Sequence, residues 1–470
     1  MPVGREWPDQ NCYGLVQIVT IELPEPINTA DGPLRVGCVA GNAVLPGRVD
    51  IAVIGGGLNG VMTAYWLAKA GARVALMEKG QIAGEASGRA FGWVSNLLLD
   101  PVKMELCAQS KALWAQLQDE IGELGYRRHG LVFLAGNGDE AEYFRSWIGS
   151  VDDPALADAD MLTAATVQAR FPGFSGHCAG GIFSSSDGSA EPRLAAVAVA
   201  RAAQKLGVSI HTRCAVRGLD VGGGRVTGVI TEQGVVKADT VLFAGNMWSR
   251  LFCGNFGISV PQLYVMTSMG RTGTVPNGPV GAGGSHEWAW RRQPDGAYSV
   301  GRLVGQKAPL TRDSIRLFFE FVPALKAEGR NVSLSLNEDC RRDWRRPRRW
   351  RLDEVSPFER ERIIDPVIDE TVGQTAFEEL SAAFPAFAGA SMVEHWAGPI
   401  TITPDNMPIA SPVEALPGFH LLTGCSYGMT WSPALGKMMA AIMTGGTPEL
   451  DPKPFRFSRF SDGSRLRVAQ

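Results

Sequence analysis

The residues best equipped for chemistry lie between Asp50 and Lys79. There Asp50-Ile-Ala-Val-Ile-Gly55-Gly-Gly57-Leu58-Asn59-Gly60 is followed by an apolar segment to Ala70 and then by Arg73-Val-Ala-Leu-Met-Glu78-Lys79. An apolar, β-branched strand running into G-x-G-x-x-G, a helix, and a second strand ending in an acid form the unit that binds an adenine dinucleotide. Gly55 permits a turn that a Cβ would obstruct, Gly57 lets backbone N–H groups approach a pyrophosphate, and Gly60 lets the helix pack on its strand. The phosphates then meet the positive end of the helix, where Leu58 and Asn59 stand. Glu78, at the tip of the second strand, is placed to accept both hydroxyls of the adenosine ribose and disfavours a 2′-phosphate. Lys79 adjoins it and is counted with the cofactor-binding residues. A lone G-x-G-x-x-G is weak evidence in a chain with 56 glycines; the strand, helix and terminal acid around it make a purely structural turn the minority reading.

Such a unit needs a larger frame. With 470 residues the chain exceeds the size at which one core stops growing, so at least two domains are expected. Hydrophobic residues make up 45% and charged residues 20%, an ordinary globular balance, and a net charge of −3 gives no reason to invoke nucleic acid or an anionic membrane. The eight cysteines are scattered without a C-x-x-C pair. That suits reduced thiols in a cytoplasm better than a disulfide framework or a zinc site, and no metal is expected. The most apolar helical stretches, near Ala195–Ala203 and Ala434–Met443, fall short of the ~20 residues of a membrane span. No secretion signal is visible, and a cytoplasmic protein is expected. Residues 1–48 read as an N-terminal arm in which Gln17–Leu23 is a candidate strand and the prolines make the rest extended.

Along the chain, α/β patterns alternate with other segments. After the nucleotide unit, Met104–Leu124 has helical spacing of apolar residues. From Asp187 to Trp248 the pattern returns to α/β, with a helix over Arg193–Leu206, a strand over Val208–His211, a hairpin turning at Gly222-Gly-Gly and a strand over Thr240–Ala244. Residues 261–395 carry β-rich and basic segments. These shifts predict an α/β fold, α+β overall, in which a discontinuous Rossmann-like nucleotide domain (49–100, 187–260 and 396–450) is interleaved with a β-rich substrate domain (101–186 and 261–395) and followed by a tail (451–470).

Three further motifs bring a family into view. Gly84-Glu-Ala86-Ser87-Gly88-Arg89-Ala90-Phe-Gly92 resembles the second flavin-contact loop of the D-amino-acid oxidase superfamily of FAD-dependent amine oxidoreductases. Asp239-Thr-Val-Leu-Phe-Ala-Gly245-Asn-Met-Trp248-Ser resembles its third signature. Trp396-Ala-Gly398, Thr403-Pro-Asp405 and Thr423-Gly424-Cys-Ser-Tyr427-Gly428-Met429-Thr430-Trp-Ser-Pro-Ala-Leu-Gly436 resemble the block that closes over the isoalloxazine. The resemblance covers about 48–460, and in pattern it is most similar to γ-glutamylputrescine oxidase-type bacterial amine oxidoreductases.

The residue types suit those roles. Small residues at 86–88 permit close approach, and the Ser87 hydroxyl and Arg89 offer donors to pyrophosphate or ribityl oxygens; the bland alternative is a Ser/Gly-rich loop with a solvated arginine. Gly245, in its place after Val216 and the glycine hairpin, reads as a cofactor contact more than as a plain turn. Gly424 to Thr430 runs into a helix starting near Pro433, so its N–H groups and the helix dipole are expected to face the pyrimidine side of the flavin. Pro433 is read as a first-turn proline.

The resemblance implies hydride transfer from a carbon bearing an amine to flavin N5, giving an imine that hydrolyses. An obligatory general base is not implied, because in such proteins the flavin carries the chemistry and the chain selects neutral amine and aligns its C–H bond. The catalytic candidates are Tyr427, which lines the cavity or simply packs, and His395, which either approaches the flavin or is a structural histidine. Glycine-oxidase-like relatives carry a carboxylate-gripping arginine where Ile400 stands here, which disfavours simple α-amino acids unless Arg291, Arg292 or Arg302 takes over. Noncovalent FAD is expected, since the usual tethering histidine is absent after the second signature and Cys425 reads as a small buried cysteine. The run Arg341–Arg351, flanked by acids, is expected to be a solvated basic surface or an oligomer contact.

The sequence therefore predicts an FAD-dependent oxidoreductase acting on a primary or secondary small-molecule amine, with O2 or an electron carrier as acceptor. A D-amino-acid dehydrogenase is the alternative within enzymes, and a noncatalytic flavin-binding subunit the alternative of another class.

Overall fold

The run Ile51–Ile54 is apolar on both faces and becomes a fully buried strand. It pairs in parallel with Val74–Met77 on one side and Thr240–Phe243 on the other. The sheet continues to Ser209–His211 at one edge and through Phe419–Thr423 to the antiparallel edge strand Ile409–Pro412 at the other. The computed structural model describes residues 37–122, 124–152, 157–328 and 332–466. The candidate strand Gln17–Leu23, Cys12 and most of the expected N-terminal arm lie outside the described residues.

Helix Leu58–Lys69 crosses from the first strand to the second and packs between helices Gly428–Met443 and Pro192–Lys205. Helix Pro101–Ile121 lies against Gly428–Met443. It begins three residues before the sequence pattern suggested, because Asp100 caps it by accepting the Lys103 N–H at 3.2 Å and Pro101 occupies the first turn. The hairpin turns where expected, with Gly223 and Gly224 both at positive φ between strands Val216–Gly222 and Arg225–Thr231.

A second, ten-stranded sheet is organised around Leu263–Thr272, which pairs along its length with Met392–Ile402 and also with Tyr298–Gly301 and Gln306–Pro309. It runs on through Ala289–Arg292, Ala282–Gly284, Leu131–Ala135 and Gly180–Ser184 to Asp160–Leu162. Residue 396, the expected start of the last nucleotide-domain piece, falls inside the strand Met392–Ile402 of this sheet; the chain re-enters the parallel sheet at Ile409. A short three-stranded ribbon of Trp93–Val94, Gly188–Ser189 and Arg127–Arg128 stands beside both sheets.

Two sequence expectations need correction. Helix Gly428–Met443 starts five residues before Pro433, which lies inside it. The carbonyl that Pro433 leaves without its helical donor, that of Met429, accepts the indole N–H of Trp114 at 3.0 Å, so a side chain from a neighbouring helix replaces the lost bond. The basic run is not simply a solvated face. Its outer arginines pair with Glu338, but Arg346 turns inward to Glu361 and over the Trp248 ring, and Arg348 bridges Asp313 and Asp343. Seven cysteines lie among the described residues, all as free thiols, and no helix among those residues is long and apolar enough to cross a membrane.

Helices Leu58–Lys69 and Gly428–Met443 meet closely. A Cβ on Gly436 would lie 2.7 Å from Met62 Cβ and 3.0 Å from the backbone of Met62 and Thr63. Gly436→Ala is expected to destabilise the fold by about 1–3 kcal/mol, the usual cost of overpacking a filled contact, read from the midpoint of chemical denaturation.

Candidate active site

The turn after the first strand places Gly55, Gly57, Leu58 and Asn59 at one wall of a cavity of about 1170 Å³. Gly55 has φ +113, and a Cβ on Gly60 would sit 2.0 Å from the Gly55 carbonyl oxygen, so backbone meets backbone there and only glycine fits. Gly60 itself lies behind the cavity wall, as do Gly88 and Gly424. Gly57 caps the helix without a side chain, and the Leu58 N–H donates to Ser87 Oγ at 2.8 Å, which brings the Ser87 hydroxyl to the positive end of the helix. The buried side chain of Asn59 serves the fold: Nδ2 donates to Cys425 Sγ at 3.2 Å, and Oδ1 accepts from Ser432 Oγ at 2.7 Å.

The Glu78 carboxylate stands at one end of the cavity. It accepts the N–H of Gly56 and of Gly80, each at 2.7 Å, through different oxygens. Burial raises its pKa, while the Lys79 charge and the Gly80 N–H oppose the rise. The Lys79 ammonium also borders the cavity but is committed to protein groups: Glu85 Oε1 at 2.9 Å, two backbone carbonyls and the Trp248 ring at 4.3 Å. Glu85, which the sequence reading quoted but did not single out, gathers Lys79, the Trp248 indole N–H at 2.8 Å and the Ile364 N–H at 2.8 Å. The signal available was its place inside the Gly84–Gly92 loop.

Ala86–Arg89 forms a single 3₁₀ turn. Arg89 is 2% exposed; its Nη1 donates to Ala397 O and Asp365 Oδ1, each at 3.0 Å, while Nε and Nη2 are buried without a protein acceptor. A buried guanidinium with free donors wants an anion or carbonyl oxygens. Trp396 Nε1 donates to the Arg89 carbonyl at 3.0 Å, and Gly398 is needed because a Cβ there would lie 2.9 Å from Arg89 Cβ. Ala90, Val216, Gly245, Trp248 and Gly398 all reach the cavity wall.

The far part of the cavity is closed by Tyr427, Gly428, Met429 and Thr430, where helix Gly428–Met443 begins. Its first-turn N–H groups have no intrahelical acceptor and so form a donor surface there. Tyr427 is half-exposed and packs on Trp431 at 5.0 Å. Burial pushes the Cys425 thiol up to about 12, so it stays protonated and unreactive. His395 is not among the cavity-lining residues: its ring stands beside Gly373 and Gly270, with Nδ1 buried. Strand alternation puts it on the face opposite Gly398, Ile400 and Ile402.

Of the three arginines considered for carboxylate recognition, Arg292 is not among the cavity-lining residues and Arg291 is consumed inside the protein by Phe91 O, Glu191 and Ser299. Arg302 lines the cavity together with Ile400. Its nearest anion is Glu379 Oε1 at 3.9 Å, and its Nε is buried without an acceptor.

The cradle of glycine backbone, helix N-terminus, Ser87 and Arg89 suits a pyrophosphate, and Glu78 suits a ribose. A family model described as FAD dependent oxidoreductase (DAO) matches residues 50–442. The chain belongs to this family. Its cofactor is FAD, and the free donors of Arg89 and the helix N-termini fit that group. Among solved structures, this DAO-family protein is 33% identical to L-amino acid deaminase from Proteus myxofaciens in complex with anthranilate, with a TM-score of 0.86 over 91% of this chain and 97% of that one. Glycine oxidase of Pseudomonas aeruginosa is 26% identical over 86% of this chain and 97% of its own length. The 4-methylaminobutanoate oxidase (formaldehyde-forming) of Paenarthrobacter nicotinovorans is 26% identical over 89% of this chain. The chain spans about half the length of the latter, 46%.

Replacing Glu78 by Gln removes the charge and turns an NH2 toward one of two backbone N–H groups. Glu78→Gln is expected to weaken FAD binding roughly 10- to 100-fold, the scale of one charged hydrogen bond, measured by titrating apoprotein with FAD and following flavin fluorescence.

Proposed function

We propose that this protein oxidises the C–N bond of an amine that also carries a carboxylate, giving an imine that hydrolyses to a carbonyl compound and the released amine or ammonia. The observation that carries the reading is Arg302, a guanidinium with a free buried N–H on a cavity wall otherwise rich in apolar residues such as Phe133, Met269, Leu303 and Ile400. Ile400 argued against simple amino acids only while no other arginine was placed at the cavity. Support comes from the relatives, whose names include an amino acid deaminase and a glycine oxidase, and from the anthranilate, an aromatic amino-carboxylate, in one of those structures.

The chain's own residues set up the reaction. Arg302 is suited to hold a carboxylate through paired N–H donors and so to fix one end of the substrate. The apolar wall excludes water and leaves the carbon beside the nitrogen to be aligned by shape. Gly57, Leu58, Ser87 and Arg89 hold the pyrophosphate, Glu78 the adenosine ribose, and the backbone of Tyr427–Thr430 the isoalloxazine end. FAD, bound noncovalently in this reading, supplies a two-electron acceptor for the hydride of that C–H bond.

The test is an anaerobic absorbance spectrum of FAD-loaded protein before and after adding amino acids, N-methylated amino acids and polyamines, followed by air. Bleaching of the flavin bands by a carboxylate-bearing amine supports the reading, and rapid recovery in air identifies O2 as acceptor. Bleaching by polyamines alone removes the carboxylate from the proposal, and flavin that no amine bleaches favours a noncatalytic role. Arg302→Met is expected to raise KM for the active amine roughly 10- to 100-fold with a smaller change in kcat, and Arg302→Lys to recover part of the loss.

A further inference from the structure

Cationic amines cannot surrender hydride from the adjacent carbon until one N–H proton has left, and the structure provides a route for it. Ser95 lines the cavity just beyond the ribbon strand Trp93–Val94. Its hydroxyl donates at 2.5 Å to Oδ2 of Asp187, which is completely buried and which the pairing of Val94 with Gly188 brings alongside. The other oxygen, Oδ1, accepts from Lys111 Nζ at 2.9 Å. Lys111 extends from helix Pro101–Ile121, donates also to Asn96 Oδ1 and Ser186 Oγ, and lies 3.8 Å from Asp158, whose side chain is 36% exposed.

Building on the reading that the substrate is an amine, we propose that Ser95, Asp187 and Lys111 form a relay that carries the ammonium proton from the cavity to the surface at Asp158. An N–H bond of the substrate breaks to Ser95 Oγ as the Ser95 O–H bond breaks to Asp187 Oδ2. The substrate becomes neutral amine, Asp187 becomes a carboxylic acid, and no electrons change hands. Lys111 then releases a proton to Asp158 through one water and takes the proton held by Asp187, which resets the relay.

A buried carboxylate oxygen needs a donor, and here that donor is a hydroxyl that also lines the cavity, while a buried pair is weak evidence for stability in any case. The surroundings suit proton acceptance. Burial raises the Asp187 pKa and the Lys111 charge opposes it. Among the described residues, the other titratable or charged groups facing this centre are Cys107 and Asp100 at the helix, Lys103 paired with Asp100 at 3.2 Å, Tyr126 with Arg128 beyond it, and Asp158. Burial pushes Cys107 and Tyr126 each up to about 12, so both stay protonated at working pH.

The experiment is the pH profile of kcat/KM for FAD-loaded wild type, Ser95→Ala, Ser95→Thr and Asp187→Asn. Loss of the relay leaves only amine that arrives already neutral. The acid limb of Ser95→Ala and Asp187→Asn is therefore expected to move up by at least one pH unit, with the high-pH plateau regained to within about threefold, and Ser95→Thr to follow wild type. A Ser95→Ala profile that is unchanged, or lowered by one factor at every pH, overturns the relay. A second readout needs no turnover: 2-aminoisobutyrate has no C–H on its amine carbon, and its binding is expected to release a proton to solvent, read with a pH-indicator dye in weak buffer, in wild type and not in Ser95→Ala. Binding without proton release in wild type also overturns it. Wild type that oxidises no amine removes the functional reading itself, whereas wild type that does so with unshifted variants removes the relay alone.

Discussion

Helix Leu58–Lys69 must approach backbone on two sides at once, and the rest of the molecule is arranged around that constraint. At its start Gly60 stands over the Gly55 carbonyl, and along its flank Met62 and Thr63 meet Gly436 of the last long helix. A side chain at either glycine would push the helix off the parallel sheet or off its neighbour. Asn59 adds a polar clasp, reaching both Cys425 and Ser432. The same helix thus sets the glycine turn at its N-terminus and the distance to the loop Gly424–Thr430, so two walls of the cavity are positioned from one helix.

Charges near the cavity divide into those spent on the fold and those left available. Lys79 and Arg346 both lie over the Trp248 ring, and Glu85 holds both Lys79 and the Trp248 indole N–H, tying the second and third signatures together. Asp405 is likewise consumed, both its oxygens accepting from the one guanidinium of Arg459 in the C-terminal segment. Arg89 and Arg302 differ: each is anchored at one nitrogen and keeps at least one buried N–H for a ligand. Ser95 belongs with them, because its hydroxyl joins the cavity to a buried carboxylate.

How far the sequence could be read follows from the range of the forces involved. The strand, turn and helix at 51–69, the helix over 192–205 and the glycine hairpin were legible, because local sterics and apolar periodicity dictate them within a few residues. Gly55, Gly57, Glu78, Ser87 and Arg89 could be singled out for the same reason, each standing at a fixed offset from a strand or helix end, and all five line the cavity. The true start of the last long helix was not, since the group that excuses Pro433 is Trp114, hundreds of residues away in the chain. Nor was the inward turn of Arg346 and Arg348, which depends on acids brought in from other elements.

The amino-acid sequence by itself determined the family, the FAD cofactor and the strand, turn and helix whose glycines border the cavity, because glycine spacing, strand ends and helix starts are local. Only the tertiary structure decided which titratable residues meet the cavity. It sent His395 to the far face of its strand, buried Arg291 among protein acceptors, left Arg302 on the wall, and set Ser95 against Asp187 and Lys111. Those choices depend on which strands pair and which faces they bury, a long-range outcome of packing in which a shift of one residue exchanges the two faces.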